Sequence, residues 1–400
     1  MTPLNGFRFE YRPPIIRYGS ECVADLASEL AAASCERALV VCGTTVGATD
    51  AVMDPVREGL GNRFIDVFAE TTPEKQLLTA YRLCDRIEER NVDMLVAVGG
   101  GSSLDVAKIA TLLAATDQSR ATVGETFETS GTIAVPDQPL LPVVAVPTTL
   151  AGADISQAAG ITASPASSLV ETETGGGVSH PKLMPHAVFA DPRLVATTPR
   201  EILAASAMNG FNKGIETLYA ANATAVTDGT AIRGLSLLSD ALLAFGDGDE
   251  REQIYDDLVR GIVCVQYGVS RPDGIMLSLI HSFGHALARN TSLQQGAAHA
   301  IITPHALSLL FEHVDGRREL LAEALGVSDA DDPATAVIER VTEIRDALGL
   351  PTRLRDVSGP SKDTFPDVAA AVLADPFMIY APDGFDPSPD EIERVLETAW

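Results

Sequence analysis

The stretch Asp93-Met-Leu-Val-Ala-Val-Gly-Gly-Gly-Ser-Ser-Leu-Asp-Val-Ala-Lys108 predicts a buried strand, a triple-glycine turn and a helix. The apolar run Met94–Val98 is typical of a parallel strand covered on both faces, because such strands lose the alternation of polar and apolar residues. Gly99–Gly101 lack a Cβ, so backbone amides there can approach a ligand closely. Ser102 then opens a helix, whose free N–H groups and positive dipole end suit a phosphate. The stretch therefore predicts an α/β domain that binds a nucleotide diphosphate.

Strands and helices alternate through the rest of the first half of the chain. Thr72 and Pro73 fit the cap and the first position of a helix. Two polar segments interrupt the pattern: 116–138 as a hairpin or loop, and 164–179 as a mobile loop. The alternation predicts a mostly parallel, doubly wound sheet. The predicted strands are Ala38–Cys42, Arg63–Phe68, Met94–Val98, Pro142–Val146 and Ala187–Ala190, and the predicted helices are Thr45–Leu60, one from Thr72 and Ser102–Ala115.

The pattern becomes helical after Asp191, where Thr198-Pro-Arg-Glu201 is typical of a capping box. Four hundred residues exceed one ordinary core, so we expect an α/β domain over residues 1–192 and an all-helical domain over residues 193–400. The helices predicted there are Pro199–Ala221, Ala231–Ala244, Glu252–Ser270, Leu277–Arg289, Ala297–Phe311 and one from Ser388 to Trp400.

The chain is strongly acidic, with 55 acidic and 29 basic residues and a net charge of −26. This balance excludes nucleic acid and an anionic membrane surface as partners, because both require clustered positive charge. The acidic residues are spread along the chain, and we interpret them as a solvated surface suited to a salty cytoplasm, with an ordinary acidic surface as the alternative. Five cysteines without CxxC spacing, no signal peptide and no membrane-spanning run favour a soluble cytoplasmic protein.

Four motifs together resemble the iron-containing alcohol dehydrogenase family. They are GGGSxxDxxK at Gly99–Lys108, PTTxxG at Pro147–Gly152, Ala190-Asp-Pro192 and the terminal Leu396–Trp400. The resemblance implies a Rossmann-like N-terminal domain, an all-helical C-terminal domain, an active site between them, and a homodimer or larger assembly. It also implies NAD or NADP as cofactor. The residues that it places around the cofactor are Gly43, Gly99, Gly100, Gly101, Ser102, Asp105, Lys108, Thr148 and Thr149.

Gly43 ends the strand at the position where many NAD-preferring members of the family carry an acid that holds the adenosine ribose. Glycine removes the carboxylate that would repel a 2′-phosphate, which favours tolerance of NADP. Lys108 has an alternative role, since it could pair with Asp105 one helical turn earlier.

The metal site of the family is altered in this sequence. The helix that usually reads Asp-x-x-x-His reads Asn209-Gly-Phe-Asn-Lys213, and Gln295 stands where a further metal-binding histidine is usual. Of the four ligand positions, only His281 still holds a residue type that binds metal in this family. The Lys213 ammonium would repel a dication, and divalent sites require deprotonated ligands. We therefore predict no catalytic iron or zinc. A family site with one carboxylate, three neutral histidines and a divalent ion has a total charge of +1. The four residues present here, without a metal, also have a total charge of +1.

Asparagine at the first of these positions resembles the maleylacetate reductase branch of the family. Members carry a serine-x-x-asparagine turn comparable to Ser206-Ala-Met-Asn209 and a histidine-containing stretch like Gly296–Leu307. Such a substrate is a ketoacid with two carboxylates, and Lys213 and Arg289 are candidates to hold one of them. Arg289 could equally be a surface residue.

The residues predicted to be catalytic are Lys213, His285, His281 and Asn209. Lys213 would polarise a carbonyl in place of a metal, with surface placement or an ion pair to Glu216 as its alternatives. His285 is the predicted proton donor, by family position, and His281 its hydrogen-bonding partner. We interpret His299 and His305 as structural.

The sequence thus predicts an NAD(P)-dependent reductase of a small carbonyl compound that works without a metal. Three alternatives remain at this point. They are a metal-dependent alcohol dehydrogenase using His281, His285 and His299, a lyase like the dehydroquinate synthase relatives of the family, and a non-catalytic nucleotide-binding protein.

Overall fold

The computed structural model describes residues 6–289, 291 and 293–400, which divide into two units. The α/β unit contains residues 12–149 and 153–198, and the helical unit contains residues 6–11, 150–152 and 199–400. Among the described residues, no helix is both long and apolar enough to cross a membrane.

A six-stranded sheet forms the centre of the α/β unit, in the spatial order β1-β8-β5-β4-β2-β3 once the strands are numbered along the chain. Every neighbouring pair in this sheet is parallel, so the predicted fold class is confirmed. A separate antiparallel hairpin pairs β6 with β7. The strands are β1 Ile15–Tyr18, β2 Ala38–Gly43, β3 Phe64–Thr71, β4 Met94–Gly99, β5 Val143–Pro147, β6 Ala158–Ala163, β7 Thr174–Ser179 and β8 Ala187–Ala190.

The helices of this unit bury aliphatic side chains against the sheet. Met53 and Val56 belong to the same buried cluster as Val96, Val144 and Phe189, which keeps the carboxyl ends of the central strands in fixed register. The helices are α1 Leu26–Ala32, α2 Thr44–Gly47, α3 Asp50–Leu60, α4 Leu77–Arg90, α5 Gly101–Ala115, α6 Arg120–Ser130 and α7 Pro192–Val195.

The helix predicted to begin at Thr72 begins instead at Leu77. Lys75 takes the left-handed conformation, with φ 51°, which is incompatible with a continuous helix. Gln76 is extended and forms an isolated parallel bridge with Thr162. Thr72 and Pro73 therefore do not cap a helix. The predicted helix Thr45–Leu60 is likewise split into α2 and α3.

Two segments, one predicted to be a hairpin or loop and the other a mobile loop, each contain an element of a different kind. Helix α6 lies within 116–138, where Ser119 caps it by accepting a hydrogen bond from the Thr122 amide. Residues 164–179, predicted to be a mobile loop, include strand β7. Its glycines permit a close backbone approach, because a Cβ on Gly176 would lie 1.9 Å from the Gly131 carbonyl oxygen. The sequence pattern was misleading here because glycine is rare in strands.

The helical unit contains nine α-helices and three short 3-10 helices among the described residues, together with a hairpin of two two-residue strands that the all-helical prediction did not include. The central helix α8 contacts α9, α10 and α12. The elements are α8 Arg200–Tyr219, α9 Ala225–Gly246, α10 Glu252–Gln266, β9 Ser270–Arg271, β10 Gly274–Ile275, α11 Leu279–Ala288, α12 Gln295–His313, α13 Arg318–Ala324, α14 Pro333–Ala347, α15 Phe365–Leu373 and α16 Pro389–Thr398.

Helix α16 begins where the sequence predicts, and Ser388 and Glu391 form both reciprocal hydrogen bonds of a capping box there. At α8 the predicted box is wrong. The helix begins at Arg200 without a side-chain cap, and the Thr198 hydroxyl donates to the Thr148 carbonyl at 2.7 Å.

Candidate functional site

The glycine turn joins β4 to α5 at the carboxyl edge of the sheet. Gly99 has φ +129°, a conformation that favours glycine, and its carbonyl accepts a hydrogen bond from the Thr148 amide at 3.0 Å. A Cβ on Gly100 would lie 3.2 Å from Cγ2 of Thr149, and one on Gly101 would lie 3.3 Å from Cβ of Ala153. These residues line a small pocket in front of the first turn of α5. The arrangement suits a phosphate, because backbone N–H groups and the helix dipole point to one place.

The other predicted cofactor residues on α5 are already bonded within the α/β unit. Asp105 accepts hydrogen bonds from Lys75 Nζ at 2.6 Å and from the Gly160 amide at 3.1 Å. Lys108 is fully buried, and its Nζ donates to the carbonyls of Ser156 at 2.6 Å and Ala158 at 3.0 Å. These bonds attach the start of β6 to α5. Direct contact of Asp105 or Lys108 with a cofactor stays a prediction.

Ser102 and Thr149 are half-buried next to the turn, and Thr148 is buried. Gly43 ends β2 opposite Thr71, and a Cβ there would lie 3.2 Å from the Thr71 carbonyl oxygen. Position 43 thus supplies no carboxylate, and the preference between NAD and NADP stays a prediction.

Helix α8 contains Asn209, Lys213 and Glu216, which follow one another at helical spacing. Lys213 is half-buried, and its Nζ donates to the Gly152 carbonyl at 3.1 Å. Surface placement of Lys213 is therefore wrong. Asn209 is also half-buried, and within residues 6–289, 291 and 293–400 its Oδ1 has no hydrogen-bond partner. Ser206 and Asn209 lie within the helix, so the predicted serine-x-x-asparagine turn is helical here.

His281 and Glu216 form a buried pair that joins α11 to α8. His281 Nδ1 is hydrogen-bonded to Glu216 Oε2, and His281 is only 3% exposed. Burial lowers the pKa of His281 well below its ordinary value, and the Lys213 ammonium lowers it further, so the ring is neutral. The His299 ring packs edge-on against it, with centroids 4.5 Å apart. Both nitrogens of His299 lack hydrogen-bond partners in the described part of the chain.

His285 lies one turn further along α11 and is half-buried. Its Nδ1 is 2.9 Å from Oδ2 of Asp375, and its ring lies 5.0 Å from that of Phe377. Burial raises the pKa of Asp375, but the hydrogen bonds from His285 and from the Phe377 amide outweigh burial and lower it overall. An ionised Asp375 only accepts hydrogen bonds, so the proton of a neutral His285 ring lies on Nδ1 and the ring is held in one orientation.

Sequence reasoning missed the contacts that Glu216 and Asp375 make with the two histidines of α11. Glu216 lies three residues after Lys213, a spacing that places both on one face of the helix, but no local signal pairs it with His281. His299 was interpreted as structural, and nothing in the sequence around Asp375 indicates a contact with His285, 90 residues earlier. Arg289, a candidate to hold a carboxylate, is exposed at the end of α11.

The four positions that correspond to the family's metal ligands do not fit a divalent ion. They hold an amide at Asn209, an ammonium at Lys213, a buried imidazole at His281 and a half-buried amide at Gln295. A divalent ion requires anionic or neutral lone-pair donors, and an ammonium has none. Among the residues that the structure describes, no three His, Cys, Asp or Glu side chains are grouped as a metal site would require.

Two family descriptions match the chain in succession. "Iron-containing alcohol dehydrogenase" matches residues 13–192, and "Fe-containing alcohol dehydrogenase family, C-terminal" matches residues 203–400. The chain belongs to the iron-containing alcohol dehydrogenase family. The predicted resemblance is confirmed, and the chain is an oxidoreductase.

Characterised relatives and solved structures cover almost the whole chain. The maleylacetate reductase of Pseudomonas aeruginosa is 27% identical over 393 residues, which span 97% of this chain and 94% of the relative. The NAD-dependent methanol dehydrogenase of Bacillus methanolicus is 27% identical over 386 residues, spanning 89% and 93%. The sulfoacetaldehyde reductase of Bifidobacterium kashiwanohense, solved in complex with NAD+, has a TM-score of 0.85 at 18% identity and covers 98% of this chain and 99% of its own. That last likeness bears on the fold alone.

Proposed function

We propose that the protein is an NAD(P)-dependent reductase of a small carbonyl compound of the ketoacid type, and that it works without a catalytic metal. The observation that carries the proposal is the half-buried Lys213 ammonium beside a buried neutral histidine, at positions where the family uses metal ligands. The ketoacid class is suggested by the maleylacetate reductase relative, and a nicotinamide cofactor by the NAD-dependent relative.

The glycine turn and the first turn of α5 would bind the diphosphate of the cofactor, which supplies a hydride to the carbonyl carbon when bound. Negative charge then develops on the carbonyl oxygen, and the Lys213 ammonium would stabilise it. A positioned donor of this kind contributes about 3–4 kcal/mol to the transition state. Lys213 is suited to the role because its hydrogen bond to Gly152 fixes the direction of the side chain.

The oxygen must also receive a proton, and His285 is the proposed donor. As the donor, the His285 ring is the imidazolium, and the Asp375 carboxylate accepts the hydrogen bond from its Nδ1–H. The Nε2–H gives its proton to the substrate oxygen, which leaves the ring neutral with its remaining proton on Nδ1. The side chain of His285 is 39% exposed, so water can return the proton. A positioned general acid contributes about a hundredfold to ten-thousandfold in rate.

A substrate screen with a metal analysis tests this function. Oxidation of NADH and NADPH is measured against ketoacids and aldehydes at high salt, with and without a chelator, on protein whose metal content is known. The expected result is chelator-resistant reduction of a ketoacid by protein holding far less than one metal ion per chain. Loss of activity with the chelator would instead assign a metal-dependent alcohol dehydrogenase, and cofactor binding without turnover would assign a nucleotide-binding protein.

A variant with restored ligands provides the matched control. Asn209→Asp, Lys213→His and Gln295→His together recreate the family's set beside His281. This variant is expected to bind close to one divalent ion per chain and to lose the ion to the same chelator. A chelator that removes the ion from the variant yet leaves wild-type activity unchanged would support the metal-free reaction.

The predicted location in a salty cytoplasm and the predicted assembly as a homodimer or larger are part of the same proposal. The acidic composition supports the first, and the family resemblance supports the second. The net charge of −26 lacks the clustered positive charge that nucleic acid or an anionic membrane requires in a partner.

A further inference from the structure

Glu216 caps the helix that contains both active-site histidines. It is fully buried on α8, and its Oε1 accepts hydrogen bonds from the backbone amides of Ser278 at 3.1 Å, Ile280 at 2.8 Å and His281 at 3.2 Å. The first amides of a helix have no partner within the helix, and a carboxylate is favoured at that end by the helix dipole. Tyr219 also bonds to this oxygen, at 3.2 Å.

The second oxygen of Glu216 determines where the His281 ring carries its proton. A neutral imidazole has one N–H and one lone pair, and an ionised carboxylate only accepts. Because Glu216 Oε2 is bonded to His281 Nδ1, the proton lies on Nδ1 and Nε2 keeps its lone pair. That Nε2 is buried, with no hydrogen-bond partner in the described residues. A buried acceptor without a partner is costly, which is consistent with an atom that awaits a ligand.

We propose that Glu216 is a positioning residue that holds His281 as the Nδ1–H tautomer, so that Nε2 accepts a hydrogen bond from the hydroxyl of the alcohol form of the substrate. An alcohol oxygen can accept from Lys213 and donate to His281 at the same time, whereas a carbonyl oxygen has no proton to donate. The pair therefore recognises the alcohol form. The role in substrate recognition rests on the proposed function, but the tautomer does not.

Glu216→Gln reverses the polarity of this contact with little change in shape. If the amide oxygen keeps the three backbone hydrogen bonds, its NH2 group faces His281 Nδ1 and donates to it, which moves the ring proton to Nε2. Glu216→Asp keeps the carboxylate and is expected to keep the Nδ1–H tautomer. Glu29→Gln is the matched control, because Glu29 is 2% exposed in the α/β unit and accepts both bonds of Arg17 at 3.2 Å.

The tautomer is read directly from the nitrogen-15 shifts of the histidine rings, with the His281 signal assigned by its absence in His281→Phe. Burial raises the pKa of Glu216 to about 7, so spectra are recorded near pH 8.5, where the carboxylate is ionised. The expected result is Nδ1–H in the wild type and in Glu29→Gln, and Nε2–H in Glu216→Gln. A wild-type ring protonated on Nε2 would overturn the proposal even if no variant folds.

Steady-state kinetics in both directions then separate recognition from packing. Glu216→Gln should raise KM for the alcohol about fivefold to tenfold and leave KM for the carbonyl unchanged or lower. An equal loss in both directions, without a change of tautomer, would assign Glu216 a structural role only. Failure of the substrate screen would remove the proposed function but leave the tautomer result standing, because the spectra need no substrate.

Discussion

Replacing Lys213 with methionine tests the central electrostatic claim most directly. Methionine keeps an unbranched side chain in the half-buried position on α8 and removes the ammonium with its hydrogen bond to Gly152, 3.1 Å away. If the ammonium stabilises the developing negative charge, the loss of about 3–4 kcal/mol of transition-state stabilisation lowers kcat by about two hundredfold to a thousandfold. The fold should persist, because methionine fills nearly the same volume at this half-buried position.

The assay is single-turnover oxidation of NAD(P)H by the substrate that the screen identifies, with cofactor affinity measured separately by fluorescence. The affinity should change less than twofold, because the proposed Lys213 interaction is made to the developing charge on the substrate oxygen and not to the cofactor diphosphate. Lys182→Met is the matched control, since the Lys182 ammonium also bonds to backbone carbonyls, at 2.6, 2.8 and 3.2 Å. Turnover of Lys213→Met within threefold of the wild type would refute the reasoning.

Three further predictions address the proton donor, the response to acid and the response to salt. His285→Asn should lower carbonyl reduction at least a hundredfold in stopped-flow traces while cofactor affinity is kept, and an effect below threefold would exclude His285 as the donor. Burial, and after it the Arg345 guanidinium, lowers the pKa of His305. Neutral His305 therefore stabilises the folded chain above pH 6.5, and this stabilisation is lost as pH falls. The difference in the free energy of unfolding between wild type and His305→Gln should change by up to about 1.4 kcal/mol per pH unit in urea titrations between pH 6.5 and 5. The melting temperature should rise by several degrees between about 0.1 and 1 M KCl, because the Debye length shrinks from about 10 to 3 Å and screens the repulsion of 55 acidic residues; an unchanged melting temperature would contradict the halophilic interpretation.

The sheet and its glycine turn were predictable because their signals are local. An apolar run such as Met94–Val98 is typical of a buried strand. The turn at Gly99–Gly101 is signalled locally as well, because residues without a Cβ are needed there for a close approach of the backbone to a ligand. The start of α4 was not predictable in this way. Thr72 and Pro73 satisfy every local rule for a helix start, but the left-handed Lys75 and the bridge from Gln76 to β6 result from tertiary contacts.

The candidate site was predictable only where it coincides with family positions. Lys213, His281 and His285 are identified because they stand at those positions, and the four-residue spacing of His281 and His285 places these two on one face of α11. Their partners are distant in sequence, since Glu216 lies 65 residues from His281 and Asp375 lies 90 residues from His285. The packing of α8, α11 and the segment after α15 brings these pairs together. The periodicity of a single sequence does not indicate such packing.

Glu216 changes the charge balance on which the metal-free interpretation was first based. Counting only the four ligand positions gives +1, but an ionised Glu216, one helical turn from Lys213, brings the sum to zero. This correction strengthens the case for a lysine in the site, since an uncompensated ammonium near two buried neutral histidines would be costly. The carboxylate can balance the ammonium while it bonds to His281 and the amides of α11, because it has two oxygens with several lone pairs. Where Glu216 is ionised, the site carries no net charge before the reaction, and the negative charge that hydride transfer creates on the substrate oxygen is the charge that the Lys213 ammonium would stabilise.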